Sequence, residues 1–145
     1  MLEKKRFSLV KPGLETPFHI DFDWWKNHDS NWRVYLHNCL CPEHQSAFSE
    51  TDQDSWIDWV DSQTGEVKQI DGLQNILIAH CAKQEGFITP NTALVDAVFR
   101  VLLASGNAPM NALELSTVIH KPAEMILRTL TGGTVYRGVR PLQNN

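Results

Sequence analysis

Apolar residues recur at helical spacing through the second half of the chain. Their pattern predicts a helix over residues 91–105, a second over 109–119 and a third over 122–130. Gly106 ends the first of these helices, and Pro122 opens the third because proline tolerates the first helical turn. The sequence therefore predicts three consecutive helices joined by short connections.

The first half of the chain carries shorter patterns. Residues 1–20 are expected to be irregular because prolines and a glycine interrupt them, and a short helix or turn is predicted over 21–29. An amphipathic helix is predicted from about Ser30 to Leu40, with aromatic and aliphatic residues on one face. Cys39 falls at the inner end of that helix.

Two β-type runs and another helix are predicted next. Residues 56–61 and 66–70 flank a glycine-containing turn, which is typical of a hairpin. Asp71 is placed to cap a helix over 72–84, and Cys81 lies on the apolar face of that helix.

Length and composition are compatible with one compact domain or two small lobes. The chain has 145 residues, of which 42% are hydrophobic, and these elements predict an α+β protein. A boundary near Gly86 to Pro90 divides it into an N-terminal lobe, 1–88, and a C-terminal lobe, 89–145. No run of eighteen apolar residues occurs and the start lacks a signal-peptide pattern, so we expect a soluble, cytoplasmic protein.

The two halves of the chain differ in charge. Residues 1–81 carry seven Lys/Arg against thirteen Asp/Glu, net −6, whereas residues 82–145 carry six against four, net +2. Phosphate binding depends on cationic side chains, so the acidic half cannot be a general nucleic-acid surface.

Cysteine and histidine are clustered, and these residue types together are typical of metal ligands. All three cysteines lie close to histidines, within His37–His44 and at His80-Cys81. Three thiolates and one imidazole make a complete tetrahedral set for zinc. The predicted ligands, which would form an N-terminal metal-binding knuckle with a structural role, are Cys39, Cys41, His44 and Cys81.

Several alternatives to this set remain. His80 and Cys81 would lie about 100° apart on a helix, so both are not expected to reach one ion; His80 and His37 are substitute ligands. An iron–sulfur cluster held by three thiolates and an imidazole is an alternative cofactor. The segment beginning Cys41-Pro42 resembles the second ligand loop of Rieske proteins, but the first ligand pair is missing upstream. The cysteines could also simply pack in the core.

The C-terminal lobe resembles a winged helix-turn-helix domain over residues 90–142. The resemblance lies in the segments 113–116 and 122–130, which match that family's helix pair, and in the alternating basic tail at 134–141. In that family the later helix faces the DNA groove. The implied DNA-binding residues are Lys121, Glu124, Arg128 and Thr131 on the recognition helix, with Arg137 and Arg140 on the wing.

The resemblance predicts a metal-containing DNA-binding protein, a transcription regulator that binds duplex DNA as a homodimer. The alternative is a metal-stabilised adaptor that binds a protein partner, because winged helices also make protein contacts. No Gly-rich phosphate loop, His-Glu-x-x-His helix or nucleophile elbow occurs, so we expect no enzymatic activity and no catalytic residues.

Overall fold

The computed structural model describes residues 11–47, 56–60 and 63–142. The expectations for residues 1–10 and for residue 61, the end of the first predicted β-type run, lie outside these ranges. The fold is mixed α+β, as predicted. Within the described ranges the elements are β1 (Phe18–Ile20), α1 (Phe22–His28), α2 (Trp32–Cys39), α3 (Pro42–Ala47), β2 (Trp56–Val60), β3 (Val67–Asp71), α4 (Gly72–Ala79), a 3₁₀-helix (Cys81–Lys83), α5 (Leu94–Ala104), α6 (Ala112–Ile119), α7 (Ala123–Leu130) and β4 (Val139–Pro141).

The strands form two separate antiparallel pairs. The predicted hairpin is present, with β2 paired to β3 from Trp56↔Asp71 to Val60↔Val67. The other pair joins the two ends of the described chain, because β1 pairs with β4 and Ile20 lies opposite Val139. The prediction that residues 1–20 are irregular was therefore wrong at β1, whose partner lies more than a hundred residues away in sequence.

The three C-terminal helices lie close to their predicted positions. Asn111 and Glu114 form a reciprocal capping box at the start of α6, with both hydrogen bonds at 2.9 Å. His120 ends α6 in the left-handed conformation, and α7 begins after Pro122. The second and third helices predicted from the apolar periodicity are thus present.

The expected wing is not formed by the described residues. The basic tail contributes β4, but this strand pairs with β1 and not with a neighbouring strand of the C-terminal lobe. This pairing joins the first and last strands of the described chain, so the tail has a structural role.

One hydrophobic core contains residues of both predicted lobes. Trp25 lies near its centre, with its ring centroid 5.4 Å from that of Phe99 and 5.9 Å from that of Tyr35. The buried members include residues from α1, α2, α4, α5, α6, α7 and the two strands β1 and β4. Because residues before and after position 88 pack together, the division at that position does not separate two cores.

Asp71 holds the start of α4 in place. Its side chain accepts a hydrogen bond of 2.8 Å from the Leu73 N–H, which caps the helix, and its other oxygen bonds the Arg33 guanidinium on α2. Asp71 is buried, so the arginine compensates its charge. This contact fixes α4 against α2, and α4 leads directly to His80 and Cys81.

None of the helices in the described ranges is long and apolar enough to cross a membrane.

Candidate metal centre

Cys41 and His44 are brought together by the short helix α3. The Cys41 carbonyl accepts hydrogen bonds from the His44 and Gln45 N–H groups, at 3.0 and 2.9 Å. Pro42 takes the first helical position, where its missing N–H costs nothing. Residues three apart lie on one face of a helix, so the Cys41 thiol and the His44 ring point the same way. Their Sγ and Nδ1 atoms are 3.2 Å apart.

His80 and Cys81 come from the point where α4 ends. The His80 N–H still donates to the Ile76 carbonyl at 2.9 Å, but the backbone of His80 departs from helical angles, with φ −128° and ψ −62°. Cys81 then starts the 3₁₀-helix. The break turns both side chains towards α3.

The four side chains form a compact cluster whose ligand atoms all lie within 4.8 Å of one another. The Cys41 and Cys81 Sγ atoms are 3.5 Å apart, and the His44 Nδ1 is 3.5 Å from the Cys81 Sγ. The His80 Nδ1 lies 3.8 Å from the Cys41 Sγ. Around a tetrahedral zinc ion, with Zn–S of about 2.3 Å and Zn–N of about 2.0 Å, neighbouring ligand atoms are separated by about 3.3 to 3.8 Å. Four of the six separations, from 3.2 to 3.8 Å, are therefore close to the edges of such a tetrahedron, and the other two are no longer than 4.8 Å.

Burial affects the protonation of Cys81, one member of the cluster. Desolvation is the main cause that raises the pKa of Cys81 to about 11; a backbone hydrogen bond at Cys41 opposes this rise, and the Cys41 thiol adds to it. The Cys81 side chain is buried, whereas Cys41, His44 and His80 are partly exposed. A cation that binds here has to displace the Cys81 proton, and the partly exposed side of the cluster gives it a path from solvent.

Three of the four predicted zinc ligands, Cys41, His44 and Cys81, belong to this cluster. Cys39, the fourth, does not: it is the last residue of α2, it is 4% exposed, and it packs in the hydrophobic core. Burial raises the pKa of the Cys39 thiol, which favours its neutral form. The helical spacing that correctly placed Cys39 on the inner face of α2 therefore directs it to the core and away from Cys41.

His80, and not Cys39, is the fourth member of the cluster. The prediction that His80 and Cys81 would not both reach one ion assumed that a helix continued through both residues to position 84. The helix ends at Ala79, so the 100° separation does not apply. His37, the other substitute, lies outside the cluster, and its Nε2 is 3.2 Å from the Gln45 carbonyl oxygen.

The set of two thiolates and two imidazoles is a common structural zinc set. The iron–sulfur alternative required three thiolates, and the third, Cys39, is in the core. The cluster could hold a metal ion, and its donor atoms are those that zinc prefers.

The predicted DNA-binding residues comprise four exposed residues and two arginines that contact other elements of the fold. Lys121, Glu124, Arg128 and Thr131 are exposed on or beside α7.

The two arginines assigned to the wing are instead engaged within the fold. Arg137 lies 3.5 Å from an Asp96 carboxylate oxygen and 3.9 Å above the Tyr35 ring centroid. Arg140 donates to Asp21 at 3.1 Å and lies over the ring of Trp24. These contacts give both arginines partners on other elements.

Comparisons of the chain with protein families, with curated proteins and with solved structures found no match. The assignment of the site therefore depends on its own geometry.

Proposed function

We propose that this protein binds one zinc ion through Cys41, His44, His80 and Cys81, and that the ion has a structural role. The observation that carries the proposal is the close grouping of four zinc-type ligand atoms, which all lie within 4.8 Å of one another. Four protein ligands leave no open position for water or substrate, which is the usual distinction between a structural and a catalytic zinc site.

The ion would connect two parts of the chain that are 40 residues apart, since Cys41 and Cys81 lie on opposite sides of the β2–β3 hairpin in sequence. Because the four ligands are not held together in the unfolded chain, the metal-binding free energy adds to the folding free energy. The ion would hold α3, which is short and has no buried residue, against the end of α4. Zinc thus supplies stability where packing supplies little.

Elemental analysis of the purified protein, followed by thermal unfolding with and without a chelator, tests this proposal. We expect about one zinc per chain. Removing zinc that was present at about a thousand times its Kd should lower Tm by roughly 10 °C for a chain of this length. Cys41→Ser should lose zinc, whereas the matched variant Cys39→Ser should keep it. Wild-type protein that binds no zinc and has the same Tm with chelator would refute the proposal.

The second candidate function is binding of a basic protein partner, the adaptor alternative. Two observations favour it over DNA binding. Arg137 and Arg140 are paired with carboxylates of the same chain, which leaves Lys121 and Arg128 as the cations of the proposed DNA surface, with Glu124 between them in sequence. The first 81 residues carry a net charge of −6, and that excess would attract a cationic partner and repel phosphate.

Two probes of opposite charge distinguish these candidates. A lysine-rich peptide should bind the zinc-loaded protein with an affinity that falls as salt rises, and duplex DNA should not bind at ~50 mM salt. DNA binding that falls steeply with salt and is lost in Arg128→Ala would instead support the transcription-regulator prediction. Binding of neither probe would refute both electrostatic proposals.

A further inference from the structure

Gln84 lies one turn after His80, on the outer side of the metal cluster. Its side-chain amide nitrogen is 3.4 Å from the His80 Nε2. The other ring nitrogen, Nδ1, faces the Cys41 Sγ at 3.8 Å. The two nitrogens of this imidazole therefore have separate neighbours: the thiol cluster on one side and the Gln84 amide on the other.

The chemistry of a metal-bound imidazole makes this arrangement significant. A neutral ring that binds a metal through Nδ1 carries its proton on Nε2, so Nε2 becomes a hydrogen-bond donor. Ligand histidines generally donate this proton to an oxygen, which fixes the ring orientation and makes the ring a better ligand. The carbonyl oxygen of the Gln84 side chain can accept it.

A glutamine side chain can form a hydrogen bond with His80 Nε2 whether Nδ1 carries a proton or binds a metal. With Nδ1 protonated, the Gln84 NH₂ group can donate to Nε2. With a metal on Nδ1, rotation of the same amide by 180° brings its oxygen to Nε2, because the oxygen and nitrogen of an amide occupy nearly equivalent positions. No backbone movement is needed for that exchange.

The backbone of Gln84 is tied to the turn that carries both ligands. Its N–H donates to the Cys81 carbonyl at 3.2 Å, and its own carbonyl accepts from the Phe87 N–H at 3.2 Å. The Gln84 side chain contacts the His80 ring from four residues later in the same turn. This contact therefore does not depend on the position of α3.

We propose that Gln84 is a positioning residue for the metal centre: it accepts a hydrogen bond from His80 Nε2 and so orients Nδ1 towards the ion. This inference rests on the proposed zinc function. The contact is near the surface, where water competes for Nε2, so the effect should lie at the lower end of the range for such residues.

Competition titrations of zinc against a chromophoric chelator test the proposal with three variants. Gln84→Ala should weaken zinc binding by about tenfold. Gln84→Glu should restore wild-type affinity or exceed it, because a carboxylate accepts from Nε2–H and cannot donate. Glu85→Gln changes one charge on the next residue and measures how much a charge near the site matters by itself.

Nitrogen-15 NMR of the His80 ring supplies a readout that loss of packing would not change. In zinc-loaded wild type and Gln84→Glu, the spectrum should show a metal on Nδ1 and a proton on a hydrogen-bonded Nε2. In Gln84→Ala, the Nε2 signal should shift towards that of a solvent-exposed N–H.

The outcomes separate the two proposals. Equal zinc affinities for wild type and Gln84→Ala would overturn the positioning role and leave the zinc site intact. A Gln84→Glu variant as weak as Gln84→Ala would also overturn it, because the hydrogen bond would then not be the cause. Failure of wild type to bind zinc would refute the proposed function itself.

Discussion

Asn107 pairs through its side chain with both backbone groups of Ile20. Its Oδ1 accepts from the Ile20 N–H at 2.8 Å, and its Nδ2 donates to the Ile20 carbonyl at 2.9 Å. Ile20 is 1% exposed and lies in β1 opposite Val139. The amide of Asn107 thus continues the pairing that the Met110 backbone makes with Phe18, along the edge of β1 that faces away from β4.

Replacing Asn107 should therefore destabilise the fold. Asn107 also has φ +63°, a conformation that asparagine tolerates better than alanine. Asn107→Ala should lower the free energy of unfolding by about 2 kcal/mol for the two hydrogen bonds, and by about 1 kcal/mol more for the backbone strain. Urea denaturation measures the change. Asn107→Gly, which relieves the strain but not the lost bonds, is the control, and equal stability of the glycine variant and wild type would contradict the role of the amide.

Gly138 permits a close approach of the tail to α1. Its φ is +75°, and a Cβ added there would lie 2.8 Å from the Trp25 Cβ and 2.9 Å from the Asp21 carbonyl oxygen. One of these atoms belongs to the backbone and the other is bonded directly to it, so neither can move away without moving the chain. Gly138→Ala should therefore lower the free energy of unfolding by several kcal/mol and lower Tm strongly. Gly133→Ala is the matched control, because nothing lies within 4 Å of its added Cβ. A Gly138→Ala protein as stable as the Gly133→Ala protein would contradict the packing described here.

Tyr35 should make stability depend on pH in the alkaline range. Burial, and then the hydrogen bond of its hydroxyl to Asp96 at 2.5 Å, raise the pKa of Tyr35 above its ordinary value of 10.0. A group whose pKa is raised on folding contributes stability that is present below its unfolded pKa. That contribution is lost as pH rises through its folded pKa.

The corresponding variant is Tyr35→Phe. Above pH 10 the wild type should lose stability more steeply than Tyr35→Phe, whereas at neutral pH the variant should be about 1–2 kcal/mol less stable because it lacks a bond to a charged acceptor. Denaturant titrations over pH 7 to 11 measure both. Parallel pH profiles for the two proteins would contradict this account of Tyr35.

The two histidines named as substitute ligands should behave differently. His80→Ala should lose most of the bound zinc, and thermal unfolding should become insensitive to chelator, because the ion loses one of four ligands. His37→Ala should retain about one equivalent, since its ring lies outside the cluster. Zinc content and chelator sensitivity of both variants check this. Retention of zinc by His80→Ala together with its loss in His37→Ala would reverse the assignment.

The elements with a strong local signal could be predicted from the sequence. The helices α5 to α7 have a sustained helical periodicity, and the β2–β3 hairpin has a turn between two β-type runs, so local patterns were sufficient. β1 could not be predicted because its partner is β4, at the other end of the described chain. Short strands that form through such distant pairing leave little local pattern.

The members of the candidate metal site could be predicted only in part, because some of them depend on tertiary structure. The spacing of Cys41 and His44 is a local signal. Cys81 could be predicted as a ligand because a thiolate binds zinc strongly. The choice between Cys39 and His80 depended on where α4 ends, and no glycine or proline marks that point. The pairing of Arg137 with Asp96 likewise depends on tertiary contact, so the basic tail was interpreted as a wing.

Zinc K-edge X-ray absorption of the zinc-loaded protein tests the central claim most directly, because it counts sulfur and nitrogen ligands around the ion. The structure predicts two sulfur neighbours at about 2.3 Å and two nitrogen neighbours at about 2.0 Å, from Cys41, Cys81, His44 and His80. Three sulfur neighbours and one nitrogen would mean that Cys39 leaves the core to bind the ion, and would contradict the assignment.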